Sequence, residues 1–283
     1  MTTFLITGAT GFIGCRVVER LLEHGDRPRV FVRDAEKARA RYGNRVDVVV
    51  GDLCDVASLM SALSGVDVLF LVNTGQDIPT RDAEAAKASR DAGVKLLVKL
   101  SSMDSQLGVG TGHWHAQGEA VIRASGVNFT FVEPAGFMSN ALLWATSIKN
   151  EGVVRACTGS GRIAFIHSDD IAAVITNVLT TQKYDGESLP ITGPEALNYA
   201  EMTAKISTVI GKSLMFEPIT EEQARQRLIV NGMPTAEINA HLSLWHAIRE
   251  GRLATVTNNV ESVLGRKPIT FIQWAKENAS AFR

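Results

Sequence analysis

Three glycines spaced three apart, Gly8, Gly11 and Gly14, close the first apolar run of the chain, Thr3-Phe4-Leu5-Ile6-Thr7. A helical pattern begins at once and continues through Cys15, Val17, Val18, Leu21 and Leu22. Each glycine has its own physical job. Gly8 allows the tight turn out of the strand, Gly11 lets the backbone approach a pyrophosphate, and Gly14 lets the new helix sit close to the sheet. Thr10, Phe12 and Ile13 fill the turn between them. The free N–H groups and positive dipole end of the helix then face the phosphates. The spacing is GxxGxxG rather than GxGxxG. The strand before it and the helix after it make this triplet a dinucleotide signal.

Further candidates follow the later strands. Arg33 ends the second apolar run, with Asp34 beside it and Lys37 one helical turn on. A carboxylate at that corner would bind the ribose hydroxyls of NAD, whereas two cations favour the extra phosphate of NADP. The plainer alternative is a solvated pair with Asp34 as a helix N-cap. Asp52 and Leu53 follow the third run, where an aspartate can accept from an adenine amino group or cap the next helix. Asn73-Thr74 and Ser101 follow the fourth and fifth runs, where ribose and nicotinamide should pass; as plain turn residues they would need no such role.

The elements that must position these residues alternate. Arg29–Val32, Val46–Val50, Val66–Val72, Lys95–Leu100 and Asn128–Val132 read as strands. Helical patterns separate them, at 35–41, 56–63, 80–92 and 113–124. Near-continuous apolar strands between amphipathic helices predict an α/β, doubly wound parallel sheet of the Rossmann type. After Pro134 the alternation loosens. Helices are expected over 135–149, from a Ser168 or Asp169 cap to Leu179, and over 199–210, 221–229, 235–249 and 271–281, with strands at 162–166 and 189–192. Residues 1–134 thus read as a dinucleotide-binding core and 135–283 as a smaller α+β substrate lobe packed on it, one structural domain overall.

The 283-residue chain has a net charge of −1, so there is no electrostatic case for nucleic acid or an anionic membrane. No apolar run reaches membrane-spanning length. Met1 running straight into the first strand leaves no signal segment. The three cysteines, Cys15, Cys54 and Cys157, lack metal-like spacing and read as small buried apolar residues. A cytoplasmic setting, a small-molecule partner, no metal site and a monomer or homodimer are the expectations.

Taken in order, these segments resemble the short-chain dehydrogenase/reductase superfamily, and within it the atypical NmrA-like branch, similar to NADPH-dependent quinone and triphenylmethane reductases. The marks are Thr7 to Gly14, Val32-Arg33-Asp34, Gly51-Asp52-Leu53 and His115-Ala116-Gln117-Gly118-Glu119. Further marks are Glu133-Pro134 to Asn140, Ile166 to Ala172, Ile191 to Leu197 and Val263 to Pro268. The resemblance implies NADP(H) rather than NAD(H) as cofactor, with Arg33 on the 2′-phosphate. It also implies a nicotinamide pocket lined by Phe137 and its neighbours, Pro134 among them. Met103, His113, Phe137 and Met138 are the substrate-side candidates, with Trp114, Trp144 and Trp245 as further aromatic walls or as core.

One departure decides the chemistry. The superfamily's usual acid is Tyr-x-x-x-Lys, but the residues four places after Tyr42, Tyr184 and Tyr199 are Val46, Ser188 and Thr203. At the corresponding helix stand His115 and Glu119, on one face. His115 is a candidate proton donor, with Ser101 beside it as a second catalytic candidate. The alternative is that His115 positions substrate or caps a helix. Glu119 cannot do a lysine's electrostatic work. The expected function is NADPH-dependent hydride transfer to a conjugated, electron-poor small molecule: a quinone, enone, iminium or similar aromatic. A dinucleotide-binding redox sensor without turnover is the alternative. A sugar-nucleotide epimerase is disfavoured by the missing tyrosine.

Overall fold

Apolar runs alternating with amphipathic stretches become strands buried on both faces with helices between them. The computed structural model describes residues 2–283. Met1, read above as leading straight into the first strand, lies outside the described residues. Along the chain come β1 (Phe4–Thr7), α1 (Gly14–Glu23), β2 (Arg29–Val32), α2 (Ala35–Tyr42), β3 (Asp47–Val50), α3 (Val56–Ala62), β4 (Val68–Leu71), α4 (Ile78–Asp91), β5 (Leu96–Leu100), α5 (Gly112–Ala124) and β6 (Phe129–Pro134). Then follow α6 (Ala145–Glu151), β7 (Val153–Ala156), α7 (Ser168–Thr181), β8 (Ser188–Ile191), α8 (Tyr199–Ile210), β9 (Met215–Pro218), α9 (Glu221–Val230), α10 (Thr235–Arg249), α11 (Asn259–Leu264) and α12 (Phe271–Glu277).

The main sheet has the order β3-β2-β1-β4-β5-β6-β8. Strands β1 to β6 pair in parallel. This is a doubly wound, Rossmann-type α/β fold. Strand order reverses beside β1, so the glycine turn sits at the switch point where such sheets bind ligands. Thr7 ties the two central strands together: its hydroxyl donates to the Phe70 carbonyl at 3.0 Å and accepts the Val72 N–H at 2.8 Å.

The chain forms two compact units. The first holds the chain up to Gln106, Gly112–Glu133 and Ile171–Pro190. Its core joins Leu5, Phe31, Leu69, Leu97 and Phe131 of the strands to Leu59, Ala85 and Ile122 of the helices. The second holds Leu107–Thr111, Pro134–Asp170 and Ile191–Arg283. Met138, Phe165, Tyr199, Met202, Ile206 and Trp274 build its core. A two-stranded parallel sheet of β7 and β9 lies in this unit.

Several expectations for the second half need correction. Residues 135–149 are not one helix: Phe137 bridges Ile166, a 3-10 turn spans Met138–Trp144, and only then does α6 begin. The Met138 N–H donates to the Ile166 carbonyl at 2.9 Å, which holds the segment's start extended. Residues 162–166 form isolated bridges, not a strand. β7, β9 and α11 were not expected from the sequence; β9 is mostly exposed and lacks a buried apolar run. The last helix ends at Glu277 and passes into a 3-10 turn at Ala279–Phe282. At the start of α7, His167 Nδ1 accepts the Asp169 N–H at 3.1 Å. Cys15 and Cys157 are buried, but Cys54 is exposed.

The glycine turn shows its constraints directly. Gly8 has φ +60°, a left-handed conformation. A Cβ on Gly14 would lie 2.2 Å from the Gly8 carbonyl oxygen. The close approach that Gly14 permits is therefore to the turn itself. Gly14→Ala is expected to destabilise the protein by about 1–3 kcal/mol or more, because backbone atoms must move to admit the methyl. A denaturant midpoint indistinguishable from the parent's would contradict this.

Candidate functional site

The turn between β1 and α1 is closed by backbone contacts among its glycines. No side chain caps α1, whose N-cap is Ile13; in its first turn the Cys15 N–H donates to the Gly11 carbonyl at 3.1 Å and the Arg16 N–H to the Ile13 carbonyl at 3.0 Å. The Gly11 N–H donates to the Gly8 carbonyl at 2.8 Å and closes the turn. A Cβ on Gly11 would lie 3.0 Å from that same oxygen. A turn this tight, at the start of a helix and at the switch point of the sheet, has the chemistry that fits a pyrophosphate. Thr10 is half-buried and Phe12 is 48% exposed, with the Arg16 guanidinium 4.5 Å over its ring. Sequence reading missed the brace behind the turn. The buried Tyr42 phenol donates to the Ala9 carbonyl at 2.5 Å, and burial raises its pKa.

At the outer corner Arg33 and Lys37 are both exposed. Asp34 is the N-cap of α2 and accepts the Lys37 N–H at 3.0 Å, as its plainer reading held. Asp52 does not cap α3; Asp55 does. Asp52 instead accepts the Cys54 N–H at 2.9 Å, which lowers its pKa, with Arg33 and Arg81 adding to the effect. Arg33, Asp52 and Arg81 thus share one corner. Arg81, on α4, was not legible as a site residue. It reaches the Thr74 carbonyl at 3.5 Å and Asp77 at 3.2 Å. Leu53 packs against the first unit's core.

Behind the ends of β4 and β5 lies a polar cluster. The buried Asn73 donates from Nδ2 to Asp82 Oδ1 at 2.6 Å. Asp82 Oδ2 lies 2.6 Å from Lys99 Nζ, and both side chains have 0% exposure. Ser101 is buried and its hydroxyl donates to Glu119. Glu119 also meets Arg123 at 3.4 Å. The Ser101 proton is thus committed to a carboxylate, which corrects the expectation of a hydroxyl free to donate to substrate. His115 needs a correction too. Burial, and then the charge of Lys99, lower its pKa to about 3. The ring is neutral at physiological pH and holds no imidazolium proton to give.

Other titratable groups sit nearby in the same unit. Burial pushes Asp104, in the 3-10 turn after β5, up to about 6, and a hydrogen bond with Ser102 opposes the shift. Burial also raises Glu133, with Glu119 adding to it, while Gln106 Nε2 donates to Glu133 at 2.7 Å. Among the substrate-side candidates Met103 is half-buried, and the exposed His113 stands 4.8 Å from Trp114, ring to ring. In the second unit Phe137 is half-buried and Pro134 is buried. Met138, 1% exposed, belongs to that unit's apolar core and offers no pocket surface, a correction to its expected role. Trp144 packs on the same core, 5.0 Å from the Tyr199 ring, and Trp245 packs there as well. Among the described residues no group of three or more His, Cys, Asp or Glu side chains could hold a metal ion.

A family described as NAD(P)H-binding matches residues 8–182. The (4-alkanoyl-5-oxo-2,5-dihydrofuran-3-yl)methyl phosphate reductase of Streptomyces griseus is 38% identical over 283 residues, covering 98% of each chain. The NAD(P)H azoreductase of Xenophilus azovorans is 36% identical over 284 residues, also covering 98% of each. Among solved structures, an NADPH-dependent quinone oxidoreductase from Escherichia coli superposes with a TM-score of 0.89 at 24% identity, over 97% of this chain and 99% of the other. Its likeness is one of fold.

The Arg33 corner sets a test of cofactor choice. Arg33→Ala should raise the Kd for NADPH about tenfold or more and leave that for NADH nearly unchanged, because a charge-assisted contact to phosphate contributes about 1.5–3 kcal/mol. Equal losses for both cofactors in a fluorescence titration would remove the phosphate assignment.

Proposed function

The chain belongs to the NAD(P)H-binding family of oxidoreductases, and on that footing we propose that it is an NADPH-dependent reductase of conjugated, electron-poor small molecules. What carries the reading is that none of the expected proton donors is free to act as one. Tyr-x-x-x-Lys is absent, the Ser101 proton is held by Glu119, and His115 is neutral. Reduction of a simple ketone needs a proton donor as charge builds on oxygen. A conjugated acceptor spreads that charge over its π system and needs less help.

Bound NADPH would supply the hydride, and water the proton that completes the reduction. The chain's own part is to bind, orient and exclude water. Gly8, Gly11 and Gly14 with the start of α1 would hold the pyrophosphate. Arg33 and Lys37 would hold the 2′-phosphate. Asp52 and Asn73 would serve adenine and ribose.

The relatives' names support the substrate class. A 4-alkanoyl-5-oxo-2,5-dihydrofuran carries a ring double bond activated by two carbonyl groups, and an azo group is an electron-poor N=N bond. This chain is assigned acceptors of the same kind. A cytoplasmic monomer or homodimer with no nucleic-acid or membrane partner completes the proposal, supported by the near-neutral charge and the uncrosslinked cysteines.

The test is NADPH oxidation, followed at the nicotinamide absorbance band, with a panel of quinones, doubly activated enones, azo compounds and iminium ions. Turnover is expected with part of the panel and none with simple aliphatic ketones. Tight NADP binding without turnover on any acceptor would defeat the reductase reading and favour a dinucleotide sensor. His115→Ala should leave kcat nearly unchanged, because its neutral ring has no acid proton to give; a loss of about 10²-fold, the size of one oriented donor, would contradict this.

A further inference from the structure

Asn73 stands two residues after β4 and Ser101 directly after β5, on neighbouring parallel strands, and both are buried. Each is held by an acidic side chain from the helix that follows its strand. Asn73 Nδ2 donates to Asp82 Oδ1 at 2.6 Å. A carboxylate can only accept, so the amide must turn its nitrogen toward Asp82 and its oxygen away. Asp82 is itself paired with Lys99, whose Nζ lies 2.6 Å from its other oxygen, and neither side chain is exposed. Gly118 on α5 gives that oxygen room, since a Cβ there would lie 2.1 Å from it. An ion pair buried this deeply is weak evidence for stability. Holding an amide one way round is a use for it. At the end of β5 the Ser101 hydroxyl gives its one proton to Glu119, whose other oxygen meets Arg123 at 3.4 Å. Only lone pairs remain on Ser101 Oγ. Among the described residues no group donates to Asn73 Oδ1 or to Ser101 Oγ.

The sheet runs β3-β2-β1-β4-β5 past the glycine turn. With the pyrophosphate at the turn after β1 and the adenosine half beside Arg33 and Asp52, after β2 and β3, a dinucleotide lays its other half over the ends of β4 and β5. That half, a nicotinamide riboside, carries ribose hydroxyls and a carboxamide NH2, all of them hydrogen-bond donors. We propose that Asn73 Oδ1 and Ser101 Oγ form an acceptor pair for a donor group of the nicotinamide riboside, and that Asp82 and Glu119 are the positioning residues that set this polarity. Asp82 turns the amide and Glu119 turns the hydroxyl, so both act through their partners. The inference rests on dinucleotide binding in the reading above and not on turnover.

The test is equilibrium binding to the full chain, read by fluorescence titration. The probes are NADP+ and two analogues that put an acceptor where it has a donor. One carries fluorine in place of the nicotinamide-ribose hydroxyls, and the other is the 3-acetylpyridine analogue, whose acetyl group has no N–H. The parent is expected to bind at least one analogue about tenfold more weakly than NADP+, and which one it is tells whether hydroxyl or carboxamide is the donor. Two variants relax the polarity. In Asp82→Asn/Lys99→Met, which removes both buried charges at similar volume, an amide can face Asn73 with either end. In Glu119→Gln an amide can donate to Ser101 and free its proton. Each variant can then offer an N–H or O–H to the analogue, so the gap should shrink to about twofold. Glu119→Gln leaves the buried ion pair untouched, so a folding failure of the double variant still leaves a decisive measurement. Adenosine 2′,5′-bisphosphate, which lacks the nicotinamide riboside, should bind parent and variants alike. No gap for either analogue in the parent overturns the proposal, as does a gap unchanged in the folded variants. An equal loss of the bisphosphate also overturns it, because the carboxylates would then serve the fold alone. The expected gaps without NADPH turnover on any acceptor defeat the reductase reading and leave this inference standing.

Discussion

Helix α1 can start where it does only because Gly14 carries no side chain. With the Gly8 carbonyl 2.2 Å from where its Cβ would be, the turn and the first helical residue share a space that admits backbone alone. The dipole end of the helix and the reversal of strand order converge at that point. The supports gather there too: Thr7 links β1 to β4, and Tyr42 reaches over from α2 to fix the Ala9 carbonyl. On the proposed reading the turn would receive charged oxygens, and its rigidity would then favour binding, since ordering it afterwards would subtract from affinity.

Much of the first unit was legible in the sequence because its determinants are local. Apolar runs such as Val68–Leu71 and Leu96–Leu100 are buried along their whole length, and amphipathic helices lie between them. The glycine turn was legible because strand, turn and helix follow without a gap. The second half was harder for the opposite reason. Phe137 is extended because Ile166 pairs with it, and β7 exists because β9 lies beside it. Partners dozens of residues away leave no mark in the local pattern.

At the site, what could be read were residues at strand ends. What could not be read was their commitment to one another. Ser101 reads as an available serine at a strand end, but its hydroxyl is hydrogen-bonded to Glu119. His115 looked like a titrating donor until its burial and Lys99 were in view. Lys99 itself, in Lys95-Leu96-Leu97-Val98-Lys99-Leu100, passed for an ordinary polar residue of a strand. Only the approach of α4 to α5 makes it a buried cation with a partner. Distance in three dimensions, not residue type, separated the working members of this cluster from the bystanders.

The seat of Asp82 also bears on how such a site can change over time. Gly118, Asp82 and Lys99 come from α5, α4 and β5, yet each is acceptable only while the others stay as they are. A methyl on Gly118 displaces the carboxylate, and loss of either charge strands the other, at about 3–5 kcal/mol. Single substitutions in this trio therefore meet a barrier that paired ones avoid. A lineage could exchange the buried charges for an apolar plug, or the reverse, only through coordinated replacement or after gaining stability elsewhere. The trio would be inherited as a block.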